Sequence, residues 1–188
     1  MKRLLLPVFL LSSTSLVFAS PTTYTIDFEQ YPGYTQIDNQ YSAEHVTFDN
    51  ALQLVAPTYN YFDYPPHSGI VVITNDPSDP IQVNFTGIVY GVSGWYADPN
   101  GVTVTAYDGS GGVLDTFSGA PVIGSNNEFT IASGSPIAYF TISDDAGNAD
   151  GETVDDITYT VTPEPGSIFL LGSGALVLAG FLRRRFAR

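Results

Sequence analysis

The stretch Val102-Thr103-Val104-Thr105-Ala106-Tyr107 decides the fold class. Apolar residues alternate with threonines at a period of two, which places Val102, Val104 and Ala106 on one face of an extended strand. Ile157-Thr158-Tyr159-Thr160-Val161 repeats the pattern, with Ile157, Tyr159 and Val161 on the apolar face. Working outward, similar runs occupy residues 23–28, 46–48, 52–55, 70–74, 81–85, 88–93, 113–117, 128–131 and 137–142. Turn formers separate them: Asp76-Pro77, Pro80, Asp98-Pro99-Asn100-Gly101 and Asp108-Gly109 through Gly112. No segment between residues 20 and 161 holds a helical period over three turns. Short strands with a turn about every ten residues predict an all-β domain, a single β-sandwich.

Charge is distributed unevenly along the chain. The 188 residues carry a formal net charge of −13 at pH 7, from 19 acidic and six basic side chains. Every basic residue lies at an end: Lys2 and Arg3 in front, Arg183, Arg184, Arg185 and Arg188 behind. Between Leu4 and Leu182 there is no Lys or Arg at all. Such a domain would be repelled by nucleic acid and by anionic lipid, which excludes both as partners. Cations, cationic partners and neutral sugars stay open, and acidity also favours solubility. With no cysteine in the chain, thiol catalysis, disulfides and cysteine-based zinc sites are excluded.

The two ends read as addresses. Met1-Lys2-Arg3 is followed by an apolar run from Leu4 to Phe18, and Val17-Phe18-Ala19 presents small residues where a signal peptidase reads. This pattern predicts a signal peptide over residues 1–19, removed after Ala19. At the far end come Pro163-Glu164-Pro165, an apolar segment from about residue 166 to 182, and Arg183-Arg184-Arg185. About 17 apolar residues lie at the lower edge of what crosses a bilayer. The trailing arginines would stay cytoplasmic and leave the acidic domain outside the inner membrane. The domain itself then spans residues 20–161, with an address segment over 162–188.

That tail resembles the PEP-CTERM sorting signal of Gram-negative bacteria: Pro-Glu-Pro, a short hydrophobic helix and a basic cluster, in that order. The resemblance implies recognition by an exosortase and removal of the tail near Pro163, Glu164 and Pro165. It further implies a transient membrane tether, followed by delivery to the cell surface or the exopolysaccharide matrix. The domain is similar to the jelly-roll sandwiches common in such proteins, which resemble galactose-binding-like and carbohydrate-binding modules. The residues that carry this likeness are Ile26-Asp27-Phe28-Glu29, Val102 to Asp108, and Val154-Asp155-Asp156-Ile157.

In those modules the first and last strands lie side by side and often share a structural calcium ion. The resemblance implies that Glu29, Asp155 and Asp156 contribute to such a site. Calcium takes six to eight oxygen ligands, which suits carboxylates and carbonyls. The loop from Ser143 to Glu152 adds oxygen donors without the ligand spacing of an EF-hand. A second candidate surface is aromatic. Tyr59, Tyr61, Phe62, Tyr64 and His67 crowd one Pro-flanked loop, and Trp95-Tyr96 precedes Asp98-Pro99. Aromatic plates beside Asp and Asn are what stacking on a sugar ring requires, so extracellular polysaccharide is a candidate ligand.

Catalysis has little support in the sequence. His45 and His67 fall in different loops, and Gly91-Val92-Ser93-Gly94 lacks the spacing of a nucleophile elbow. Neighbouring carboxylates such as Asp155-Asp156 should point to opposite faces of a strand rather than converge. The expectation is a non-enzymatic exported surface or matrix protein. A carbohydrate-binding module is the alternative, and a glycan hydrolase the third reading.

Overall fold

The protein is seen in a computed structural model that describes residues 20–75, 80–145, 152–163 and 174. The signal peptide with Ala19, the tail residues Glu164 and Pro165, the apolar segment read as a membrane helix and Arg183–Arg185 lie outside the described residues. Ser20–Glu164 forms one compact unit.

Ten strands are described: β1 (Thr22–Ile26), β2 (Gln36–Ile37), β3 (Val46–Asp49), β4 (Ala51–Val55), β5 (Val71–Asn75), β6 (Ile81–Asp98), β7 (Val102–Tyr107), β8 (Val113–Gly119), β9 (Val122–Asp144) and β10 (Thr153–Val161). All pair antiparallel, in the order β2-β4-β5-β10-β6-β9-β7-β8, with β1 added to β10 and β3 to β6.

Two strands are much longer than the sequence pattern suggests. Residues 81–85 and 88–93 belong to one strand, as do 128–131 and 137–142. What reads as a break is a bulge: the β6–β9 register shifts between Asn84 and Val89 and again between Val89 and Gly91. Bulges bend a strand without ending it. The first half of β6 pairs with β3 and the end of β9, while its second half pairs with β10 and the start of β9. Both strands thus run from one layer into the other, which turns a single continuous sheet into a sandwich. Gly87 sits at this bend, where a Cβ would lie 2.5 Å from Val161 Cγ1, so only glycine lets the end of β10 pass.

The core forms between the layers. Val102, Val104, Ala106 and Ile157 are fully buried, as the alternation predicts, and Tyr159 is nearly so. Aromatic pairs bridge the layers, with Phe85 and Tyr159 ring centroids at 4.9 Å and Tyr96 and Phe117 at 6.3 Å. The first and last strands lie side by side, from Thr22 opposite Val161 to Ile26 opposite Ile157. On their outer face Thr23 and Thr160, and Thr25 and Thr158, pair their hydroxyls at 2.8 Å. The last pairing described is Thr162 N–H to the Ile88 carbonyl, immediately before Pro163.

Candidate functional site

The aromatic loop between β4 and β5 is held on the sandwich by carboxylates. Ala56 N–H donates to the Ile70 carbonyl and closes the loop base. Glu29 Oε1 then accepts from the Ile70 and Val71 N–H groups, at 2.8 and 2.9 Å. Gly69 makes this possible: its φ is +54°, and a Cβ there would lie 2.1 Å from Glu29 Oε1. Deeper in, Asp155 Oδ2 accepts the Ser68 N–H at 2.9 Å, and its Oδ1 accepts the Asp156 N–H at 2.8 Å. Asp156 Oδ1 accepts the Ser68 hydroxyl at 2.9 Å, while Oδ2 lies 2.6 Å from His67 Nδ1.

Asp155 and Asp156 therefore converge, against the expectation from strand alternation. The reason is local. The β10–β6 register shifts between Asp155 and Thr158, and Asp156 adopts a φ of 48°. A left-handed residue at a bulge resets the alternation, so both side chains reach the same loop. Glu29, Asp155 and Asp156 all spend oxygens on donors from residues 67–71. Burial pushes the Asp155 carboxyl up to about 7, its neighbour Asp156 adding to the effect against the pull of its N–H donors. Among the described residues, no three or more His, Asp or Glu side chains stand as a preformed metal centre.

The aromatic residues divide. Trp95 lies opposite Asp155 in the sheet, and His67 covers it face to face with centroids 3.8 Å apart and planes within 6°. Tyr96 points the other way, as the strand period requires, into the core. It is 1% exposed and donates its hydroxyl to the Ala120 carbonyl, so the expectation that it joins Trp95 on a ligand surface is corrected. Tyr59 is half-buried, its hydroxyl is enclosed, and burial beside Asp155 and Glu29 pushes it up to about 12. Tyr64 is also half-buried, raised by burial and by Asp98, Asp63 and Asp144. Tyr61 and Phe62 form the outward pair, with centroids 4.2 Å apart and Phe62 73% exposed. The loop is tied to β9 by Gly124 N–H to the Asp63 carbonyl and by Asn126 Nδ2 to the Pro65 carbonyl.

Ser68, His67 and Asp156 are the residue types of a hydrolytic triad, yet they are joined differently. The serine hydroxyl donates to the carboxylate rather than to the imidazole, so no base stands ready to take its proton. The group works as a fastening for the loop.

A second acidic group lies at one end of β6, β9 and β10; the sequence offers Asp144 and Glu152 as oxygen donors of the 143–152 loop and Asp98 as a polar neighbour of Trp95-Tyr96, but does not bring them together. Asp98 and Glu152 are both 0% exposed. Asp98 Oδ1 accepts the Asn100 and Gly101 N–H groups at 2.6 and 2.7 Å, but its Oδ2 and both Glu152 oxygens have no hydrogen-bond partner among the described residues. Burial pushes Glu152 up to about 8 and Asp98 up to about 6, with Asp144 adding to both. Asp98 reads in the sequence as a turn former. The signal that marks it out is the lack of any Lys or Arg that could neutralise an acid placed inside this fold.

With the geometry in place, the domain is an all-β sandwich whose last strand runs straight into a sorting sequence. Residues 161–185 match the PEP-CTERM protein-sorting motif. The sandwich is similar to the K2 cleaved adhesin domain of Lys-gingipain, with a TM-score of 0.52 and 12% identity over 74% of this chain and 100% of that one. It is also similar to CBM29_1, a family 29 carbohydrate binding module from Piromyces equi, with a TM-score of 0.45 and 11% identity over 78% of this chain and 94% of that one. At such identities the likeness concerns the fold. No curated protein matches the chain.

Proposed function

We propose that the chain is an exported, non-enzymatic protein of the cell surface or exopolysaccharide matrix, freed from its tether by exosortase. One observation carries this reading: the sorting motif begins at Val161, where β10 ends, and the last pairing among the described residues is at Thr162. The domain is therefore complete before Pro163-Glu164-Pro165 begins, which supports cutting there without unfolding it. Prolines at 163 and 165 favour that extended backbone, which suits a protease subsite. Signal peptidase acts first, after Ala19, and the inner membrane holds the chain between the two cuts. Among the described residues no helix is long and apolar enough to cross a membrane, and the tether belongs to the apolar segment that follows Pro165.

The test is cell fractionation in a host with and without its exosortase. With the enzyme, the chain leaves the membrane fraction; without it, or with Pro163 and Pro165 both changed to Ala, it accumulates there. Equal release in both hosts would sink the reading.

A carbohydrate-binding role is the second reading, favoured by the outward Tyr61–Phe62 plate beside Asn60 and Asp63, whose side chains are joined at 2.6 Å. Binding on a glycan array should be lost in Phe62→Ala. Because His67 already covers one face of Trp95, Trp95→Ala should weaken it less. An array without signal removes this second reading.

A further inference from the structure

The acidic group at the ends of β6 and β9 and the start of β10 has a chemistry that the sorting signal and the aromatic loop leave unused. Asp98 ends β6 and Glu152 stands one residue before β10, on strands that are paired through Ala97 and Thr153. Asp144, at the end of β9, is near enough to add its charge to both acids without joining them in a three-acid cluster, and Asn100 Nδ2 lies 3.3 Å from its Oδ2. The 98–101 turn fixes the arrangement, because two N–H groups pin Asp98 Oδ1 and leave Oδ2 free. Three carboxylate oxygens, Asp98 Oδ2 with Glu152 Oε1 and Oε2, are thus buried without a donor among the described residues.

Proteins relieve such a burial with a cation, usually Arg or Lys. This domain has neither: no Lys or Arg occurs between Leu4 and Leu182. Its two histidines are occupied elsewhere, His67 with Asp156 and Trp95, and His45 against Tyr24. When these acids ionise, the countercharge has to come from outside the domain, because nothing between Leu4 and Leu182 supplies it. An all-oxygen donor set, with no sulfur and no imidazole, selects a hard cation. Calcium accepts irregular carboxylate geometry and completes its shell with water and main-chain carbonyls, whereas magnesium demands a near-ideal octahedron.

We propose that Asp98 and Glu152 form a calcium-binding site, with Asp144 at its rim, separate from the Glu29–Asp155–Asp156 fastening. Two carboxylates give fewer protein ligands than an EF-hand, so the affinity belongs to the extracellular range, with Kd roughly 0.1–1 mM.

The experiment is calorimetric titration of the purified full chain with CaCl2, and separately with MgCl2, after chelator treatment. One calcium per chain is expected, with magnesium binding at least tenfold weaker. Glu152→Gln and Asp98→Asn should each weaken calcium at least tenfold. Both replacements keep the side chain's shape and remove a buried acid, so the variants should fold; circular dichroism checks this. Terbium luminescence sensitised by tyrosine gives a second readout, because Tyr64 lies close enough to Asp98 and Asp144 to feel their charge. The signal should be displaced by calcium and absent in Glu152→Gln. Glu29→Gln should bind calcium as the parent does. Absence of calcium binding, binding that survives both Glu152→Gln and Asp98→Asn, or binding lost only in Glu29→Gln would each overturn the proposal.

Discussion

Replacing Asp155 by Asn should make the stability curves of parent and variant cross as pH rises. Asp155 is 1% exposed, and burial raises its carboxyl from 3.8 to about 7. Because the folded state holds this proton more tightly than the unfolded chain, the contribution is full below pH 4 and is lost as pH rises through about 7. A difference of about 3 in pKa, at roughly 1.4 kcal/mol each, gives about 4 kcal/mol over that window. Asn does not titrate and escapes this loss. Its single carboxamide oxygen, however, serves only one of the Ser68 and Asp156 N–H groups that the carboxyl serves now. The donor left over costs about 1–3 kcal/mol. The variant should therefore be less stable than the parent by about 1–3 kcal/mol at pH 4, and equal to it or more stable at pH 8. Urea unfolding of the full chain in chelator measures this. Fluorescence of Trp95 is the reporter, since it is the only tryptophan and lies opposite Asp155. Asp98 and Glu152 titrate in both proteins, so the difference isolates Asp155. A parent-to-variant gap that stays constant from pH 4 to 8 would refute the reasoning.

Other perturbations test neighbouring parts of the account. His67→Ala should uncover one face of Trp95 and shift its emission to the red, at a cost of about 0.5–1.5 kcal/mol for the lost stacking; an unchanged spectrum would mean the rings do not stack in solution. Gly94→Ala would place a methyl 2.6 Å from Phe129 Cζ in the fully buried core, and should lower stability by about 1–3 kcal/mol in urea unfolding. Phe140→Ala should cost about 3–5 kcal/mol by the same measurement, because the ring is fully buried between Phe85 and Phe129.

How far the sequence could be read depended on which physical rule governed each residue. The Val102 and Ile157 runs are visible because every second side chain enters the core, and a period of two survives any detail of packing. Trp95 and Tyr96 obey the same rule, which separates them rather than pairing them on a ligand surface. Asp155 and Asp156 break it, because a bulge with a left-handed Asp156 is set by pairing with β6 and leaves no local mark. The union of 81–85 with 88–93 was hidden for a similar reason: Thr86-Gly87 has turn-forming composition, but the layers on either side keep the chain extended there. β2 is only two residues long and shows no period at all. The Asp98–Glu152 group needed topology, since 54 positions of sequence separate the acids that β6 and β10 bring together.

The most direct test of the whole account is the intact mass of the polypeptide released by cells with an active exosortase. The released chain should begin at Ser20 and end within or just before Pro163-Glu164-Pro165, and so contain no Lys or Arg. A released chain that still carries Arg183, Arg184 and Arg185 would contradict it.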